Sequence, residues 1–291
     1  MDMKKIGVIG GGTMGQGIAE MLAGKGLDVV LVEKTQEKLD LASQMIQYAL
    51  DKQLEKWAIT EAEKKLLLSR IHMTLDLKAV SGCHMVIETI SEDLEAKKAV
   101  LGELDWICRP PIIIASNTST LSLTELAESI RSPERVIGLH FIYPVSKIHL
   151  VEIIRAIKTS EETYEKAKHF VEETIQKTGI QVYESPGFVS TRLICTLINE
   201  AMHTLAEGVA TAQDIDSAMR IGYDFGYGPL EMADRFGLDS VLAALNRMFL
   251  EFGDIKYRPS FLLKQMVRAG RLGTKTGEGF FRYDKDGDRL S

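Results

Sequence analysis

Cysteine is scarce in this chain of 291 residues. Cys83, Cys108 and Cys195 are odd in number, scattered and without metal-ligand spacing, so no metal site is expected and a reducing, cytoplasmic compartment is. Long apolar runs are missing as well. No stretch approaches the ~20 residues that cross a bilayer, and the run after Lys4-Lys5 is four residues long before glycines break it. Neither a membrane partner nor a signal peptide is therefore expected. Positive charge is not in excess: 35 Lys and Arg face 41 Asp and Glu, a net charge of −6. Nucleic acid is not an expected partner, and any phosphate site must be local. Internal repeats and low-complexity tracts are also absent. What remains, 45% hydrophobic and 26% charged residues, is ordinary for a globular protein and long enough for two domains with a large core.

The informative stretch is the first one. Ile6-Gly7-Val8-Ile9 has the apolar character of a buried parallel strand, and Gly10-x-Gly12-x-x-Gly15 follows without a gap. Ile18, Met21 and Leu22 then recur at helical spacing, which puts the glycines on a strand-to-helix turn. Gly10 allows the tight turn, Gly12 lets the backbone approach a pyrophosphate, and Gly15 lets the helix pack close to the strand. A second apolar run, Val29-Val30-Leu31-Val32, ends at Glu33, 18 residues after Gly15. A carboxylate there accepts hydrogen bonds from an adenosine ribose and repels a 2′-phosphate, so the expected cofactor is NAD rather than NADP. Lys34 next door weighs against that choice.

Further along, residues 36–70 read as two helical pieces that break at Ala58-Ile59-Thr60, where Thr60 and Glu63 have capping-box spacing. The insertion is too long for an ordinary crossover and is expected to stand out from the sheet as a hairpin. Its lysines, Lys52, Lys56, Lys64 and Lys65, suit a solvated face or a phosphate contact. A strand within residues 80–90 ends at Glu88, and the helix that follows opens with Glu92 and Lys97, near the cofactor if ligands sit beyond strand ends. Ile112-Ile113-Ile114-Ala115 is another strand. The polar run Ser116-Asn117-Thr118-Ser119-Thr120 after it suits either a hydroxyl-lined site edge or a plain turn, and Ser122 with Glu125 repeats the capping-box spacing.

Val136 to Phe141 reads as a strand carrying His140 near its end. Glu152, twelve residues later, sits inside the apolar run Leu150 to Ile154, where an unpaired carboxylate is costly to bury. Together they suggest an imidazole–carboxylate pair: Glu152 fixes the tautomer and stabilises the imidazolium while the far nitrogen exchanges a proton. His72, His84, His149, His169 and His203 have no nameable partner. From about residue 185 strand-helix alternation gives way to helices alone. Ser185-Pro186 offers a helix start, and further helices fall at 212–220, 230–236, 238–252 and 260–269. The apolar residues of this part need cover, for which a dimer interface is the natural outlet.

The motifs Gly12-Thr13-Met14-Gly15, Ser116-Asn117-Thr118-Ser119, Gly138-Leu139-His140-Phe141, Leu150-Val151-Glu152, Pro186-Gly187-Phe188-Val189, Gly228-Pro229-Leu230 and Lys275-Thr276-Gly277-Glu278-Gly279-Phe280 occur in order along nearly the whole chain. In this combination the chain resembles the 3-hydroxyacyl-CoA dehydrogenases, including the short bacterial 3-hydroxybutyryl-CoA enzymes. The resemblance implies an α/β, Rossmann-type doubly wound sheet over 1–184, with the helical hairpin inserted, and an all-helical substrate and dimerisation domain over 185–291. It implies His140 as catalytic base with Glu152 as its partner, and Ser119 touching both substrate and nicotinamide. Thr13, Met14, Glu92, Lys97 and Lys275 become cofactor contacts, and Lys52 and Lys56 lie along an acyl-CoA substrate. Two positions depart from the family pattern. Tyr143 precedes Pro144 where an asparagine beside the cofactor is usual, and Thr191 precedes Arg192 where a catalytic-site asparagine is usual. Losing one preorganised donor reduces rates by ~10²–10³. Two alternatives thus stay open: a free hydroxy acid as substrate, as in the related L-gulonate dehydrogenases, or an NAD-binding protein with weakened catalysis.

Overall fold

The structure, a computed structural model, describes residues 3–290. Two compact units follow one another along the chain, 1–184 and 185–291. The first begins β1 (Lys5–Ile9), α1 (Thr13–Gly24), β2 (Asp28–Val32), α2 (Gln36–Glu55), α3 (Glu61–Arg70) and β3 (Ile71–Thr74). It continues β4 (Met85–Glu88), α4 (Leu94–Ile107), β5 (Ile113–Ser116), α5 (Leu123–Ala127), β6 (Val136–Phe141), β7 (Leu150–Arg155), α6 (Glu161–His169) and β8 (Thr178–Tyr183). All eight strands share one sheet, in the order β3-β2-β1-β4-β5-β6-β7-β8. β1 to β6 run parallel, β7 turns back antiparallel to β6, and β8 runs parallel to β7. Strand order reverses between β1 and β4, which makes the crevice beyond their carboxyl ends the topological switch point where ligands bind.

Every residue of β4, β5 and β6 is buried, as expected of central parallel strands covered on both faces. Ile6, Val8, Leu31 and Ile87 form one core with Ile18 and Leu22 of α1 and with Ala42, Ile46 and Leu50 of α2. That last contact corrects the expectation of a hairpin standing clear of the sheet. The inner stripe of α2 belongs to the main core, and α3 runs without a break into β3, the edge strand. The helix break lies where the spacing predicts it. Thr60 accepts from the Glu63 N–H at 3.2 Å and the Glu63 carboxylate accepts from the Thr60 N–H at 2.7 Å, a complete capping box. At α5 only half of that arrangement forms. Ser122 accepts from the Glu125 N–H, but the Glu125 carboxylate turns away to Lys98 at 2.7 Å.

The second unit contains α7 (Ser190–Ala206), α8 (Ala212–Tyr223), α9 (Pro229–Phe236), α10 (Leu238–Phe252) and α11 (Phe261–Arg268) around a separate core that includes Ile198, Met202, Leu230, Leu245 and Met248. Pro186 does not begin a helix as expected. Gly187 and Phe188 adopt φ of +78° and +49°, and the Phe188 N–H returns to the Ser185 carbonyl at 2.8 Å. The chain makes a tight turn there and the helix starts at Ser190. Near the end of this unit Asp234 is fully buried and accepts from the N–H groups of Phe280 and Phe281, both at 2.9 Å, and from the Tyr283 hydroxyl at 3.0 Å. It clamps the glycine-rich segment onto α9. A Cβ at Gly279 would fall 1.9 Å from the same carboxylate.

Candidate active site

At the switch point the backbone itself is the first functional group. The Gly10 φ of +97° turns the chain out of β1, and a Cβ at Gly15 would sit 1.8 Å from the Gly10 carbonyl, so α1 can approach β1 only with glycine there. A Cβ at Gly12 would meet nothing within 4 Å. Helix α1 starts at Thr13 with no side-chain cap and no acid in its first turn, which leaves its N–H groups and positive dipole end to an outside anion. Thr13 is exposed and Met14 half-buried at this edge. The Glu33 carboxylate reaches across from β2 and accepts from the Gly11 N–H at 2.6 Å and the Lys34 N–H at 2.9 Å. An open glycine, an uncapped helix start and an acid at the neighbouring strand end fit the pyrophosphate and ribose of a dinucleotide.

Beneath this edge lies a buried charge cluster. Lys97 is 1% exposed, and its ammonium meets Glu88 at 2.6 Å, the Ile90 carbonyl at 3.2 Å and Glu92 at 3.5 Å. Glu88 also accepts from the Ser116 hydroxyl at 2.6 Å. Glu92 in turn gathers the polar run after β5. One of its oxygens accepts from the Thr118 hydroxyl at 2.7 Å, the Ser119 N–H at 2.8 Å and the Thr120 N–H at 2.9 Å. Burial alone would raise the Glu92 carboxyl, but the Lys97 ammonium and these donors outweigh it and hold it below the usual carboxylate range. Lys97, expected at the cofactor, is buried and paired with Glu88 and Glu92. Ser119, half-buried, is held by its backbone, which leaves its hydroxyl uncommitted among the described residues.

On the other side of β5, the antiparallel register sets His140 opposite Glu152. Residues directly opposite project to the same face of the sheet. Nδ1 of His140 lies 2.6 Å from Oε2 of Glu152, and both residues are buried. The segment joining the two strands is gripped from below by Lys177, whose ammonium donates to the carbonyls of Val145 at 2.8 Å and Ile148 at 2.6 Å. Burial lowers the Lys177 pKa, with the nearby Lys25 adding to the effect. Tyr143 stands in this segment, 45% exposed.

The remaining expected residues lie on other elements. Lys52 on α2 pairs with Glu55 at 3.3 Å and sits 5.5 Å over the Tyr48 ring, while Lys56, exposed, ends the same helix. In the helical unit Thr191 lies in the first turn of α7, half-buried. Lys275 donates to both Asp239 oxygens, at 2.8 and 3.0 Å, and to the Ser240 hydroxyl at 3.1 Å. Three residues had no individual role assigned to them from the sequence. Asn117, Lys177 and Glu184 each hold a loop of the first unit, Glu184 by accepting from the Thr124 N–H at 3.0 Å and from the hydroxyls of Ser122 and Thr124. Asn117 could have been suspected from its place directly after a buried strand; the other two carry no local signal. The described residues contain no cluster of His, Cys, Asp or Glu able to hold a metal ion.

A doubly wound sheet with an uncapped glycine turn at its switch point, an acid at the end of β2 and a buried imidazole–carboxylate contact on the same sheet is the arrangement of an NAD-dependent oxidoreductase. Residues 5–185 match the family profile of the 3-hydroxyacyl-CoA dehydrogenase NAD binding domain, and residues 187–283 that of the C-terminal domain of the same enzymes. The chain belongs to the 3-hydroxyacyl-CoA dehydrogenase family. It is 43% identical to a probable 3-hydroxybutyryl-CoA dehydrogenase of Deinococcus radiodurans, over 96% of this chain and 100% of that protein. Among solved structures it is similar to FadB2 of M. tuberculosis, with a TM-score of 0.95, 33% identity and coverage of 98% and 100% of the two chains. It is also similar to (S)-3-hydroxybutyryl-CoA dehydrogenase of Ralstonia eutropha, with a TM-score of 0.88, 39% identity and coverage of 97% and 100%.

Proposed function

We propose that this protein interconverts (S)-3-hydroxyacyl-CoA and 3-ketoacyl-CoA, with 3-hydroxybutyryl-CoA as its first substrate, and that His140 and Glu152 carry the proton chemistry. The observation that carries this reading is the 2.6 Å contact between the two side chains on a strand pair of the dinucleotide-binding sheet. Bound NAD supplies the hydride acceptor in oxidation and the donor in reduction. Gly10, Gly12, Thr13, Met14 and Gly15 hold its pyrophosphate, and Glu33 accepts from its adenosine ribose. Glu92, braced by Lys97, borders the nicotinamide side with Tyr143.

In the oxidation direction His140 accepts the hydroxyl proton of the substrate through Nε2. Glu152, on Nδ1, fixes the neutral tautomer beforehand and stabilises the imidazolium that forms. Ser119 donates to or accepts from the reacting oxygen, while Lys52 and Lys56 lie along coenzyme A. The imidazolium returns its proton when the reaction runs as reduction. A homodimer formed through the helical unit, in the cytoplasm, completes the reading; the exposed Ile221 and Leu250 of that unit support such a contact.

The deciding experiment is His140→Ala assayed with NADH and acetoacetyl-CoA. Turnover should fall by about 10²–10⁴-fold, the span of general acid–base catalysis, while NADH binding followed by fluorescence is unchanged. Wild-type turnover in that variant would refute the assignment. Running the intact enzyme on free acetoacetate and sugar acids in parallel tests the coenzyme A requirement, since a preference for a free acid would replace the proposed substrate.

A further inference from the structure

We propose that Asn117 is a positioning residue for the His140 imidazole, an inference that rests on the dehydrogenase reading above. The last register pair between β5 and β6 is Ser116 with Gly138, yet β6 runs on to Phe141. Asn117 spans the gap. Its side-chain oxygen accepts from the Phe141 N–H at 2.9 Å, and its own N–H donates to the Glu88 carbonyl at 2.8 Å. One residue therefore stitches together the ends of β4, β5 and β6 at the carboxyl edge of the sheet. The next residues, Thr118 to Thr120, are pinned by Glu92, so the stitch cannot slide along the chain.

The consequence falls on the peptide plane between His140 and Phe141. That plane is rigid and includes the histidine Cα, so holding its N–H restricts rotation about the His140 Cα–C bond and steadies the base from which the side chain projects. The imidazole is then oriented from two sides, by Glu152 on Nδ1 from β7 and through its own backbone from β5. Because the donor at Phe141 is an N–H, the acceptor must be the amide oxygen of Asn117, which fixes the orientation of the whole side chain. Alanine removes the acceptor. Aspartate keeps it and adds a negative charge beside the catalytic strand.

The test uses Asn117→Ala and Asn117→Asp in the full chain, with three readouts: steady-state kinetics on acetoacetyl-CoA and NADH, hydrogen exchange of the Phe141 amide, and the titration of His140 by NMR. In Asn117→Ala the Phe141 amide should exchange faster and kcat should fall by about 10- to 100-fold with little change in KM for NADH, as small misplacements of reacting groups do. Asn117→Asp should restore protection of that amide, recover part of kcat and move the His140 titration and the pH profile upward, because a nearby carboxylate favours the imidazolium. Unchanged exchange with unchanged kcat in Asn117→Ala would overturn the proposal. So would an Asn117→Asp variant that protects the amide but neither recovers kcat nor moves the titration. If Asn117→Ala does not fold, the aspartate variant decides alone through its titration. An inert wild type would sink the dehydrogenase reading instead, while exchange and titration still judge the stitch.

Discussion

Glu33 shows how one side chain can serve structure and selectivity together. Its carboxylate caps the Gly11 N–H, and in the proposed reading it also accepts from the adenosine ribose of NAD. Replacing it with alanine should raise the ratio of kcat/KM for NADPH over NADH by about 10- to 100-fold, the worth of a hydrogen bond to a charged group, and Lys34 next door should help. Parallel assays with the two cofactors measure this directly, and an unchanged ratio would count against the assignment. At this scale the contact of His140 with Glu152 was legible because a carboxylate in an apolar run must find a partner. Asn117 was not, because in sequence it is one polar residue among five and serves a turn as well as a stitch. The burial of Lys97 was hidden for a related reason: an amphipathic lysine at a helix start looks the same whether its head meets water or two acids.

Among the elements, the glycine turn makes the sharpest demand. Gly15→Ala places a methyl group 1.8 Å from the Gly10 carbonyl, so α1 must move away from β1. Thermal denaturation should register a loss of about 1–3 kcal/mol from overpacking, and fluorescence titration should show NADH binding lost. The Asp234 clamp adds a pH dependence. Burial pushes its carboxyl up to about 6, with the neighbouring Asp216 charge also raising it against the pull of the Phe280 and Phe281 amides and the Tyr283 hydroxyl. The folded chain therefore binds this proton more tightly than the unfolded chain does. Its contribution to stability is full below about pH 4 and is lost as the pH rises to about 6. Carbon-detected NMR of the Asp234 carboxyl should give a midpoint near 6, and a midpoint near 4 would remove the effect. Legibility among the elements follows flanking chemistry. Helix 238–252 was readable to the residue because Gly237 and Gly253, with φ of +91° and +62°, bracket it. The edge strands β3 and β8 escaped notice. One is four residues long and fused to a helix, and the other is a half-exposed run whose only aliphatic residues are Ile180 and Val182.

For the molecule as a whole, the alternation of strands and helices, followed by helices alone, made the class of fold readable from the start. The antiparallel return of β7 was not readable, since strand direction depends on a connection and not on the strand's own residues. The proposed dimer gives a prediction at this scale. Sedimentation should find a particle of twice the 32.4 kDa chain mass, and Leu250→Glu, at an exposed apolar position of α10, should shift it toward the single chain. A wild-type particle of one chain mass would dismiss the dimer.

The return of β7 also separates two tasks that a single loop would have confounded. His140 and Glu152 face each other as rungs of a ladder, and their distance is inherited from strand spacing and not from the connecting residues 142–149. Changes at the exposed part of that tip, such as Tyr143, leave the rungs in place, while Val145, buried and held through its carbonyl by Lys177, anchors the rest. A one-residue slip of β7 would throw the carboxylate to the opposite face of the sheet. The hairpin is thus a frame with an exchangeable outer end, in which descendants of this chain can remodel what approaches the imidazole without rebuilding the strand pair that holds it against the carboxylate.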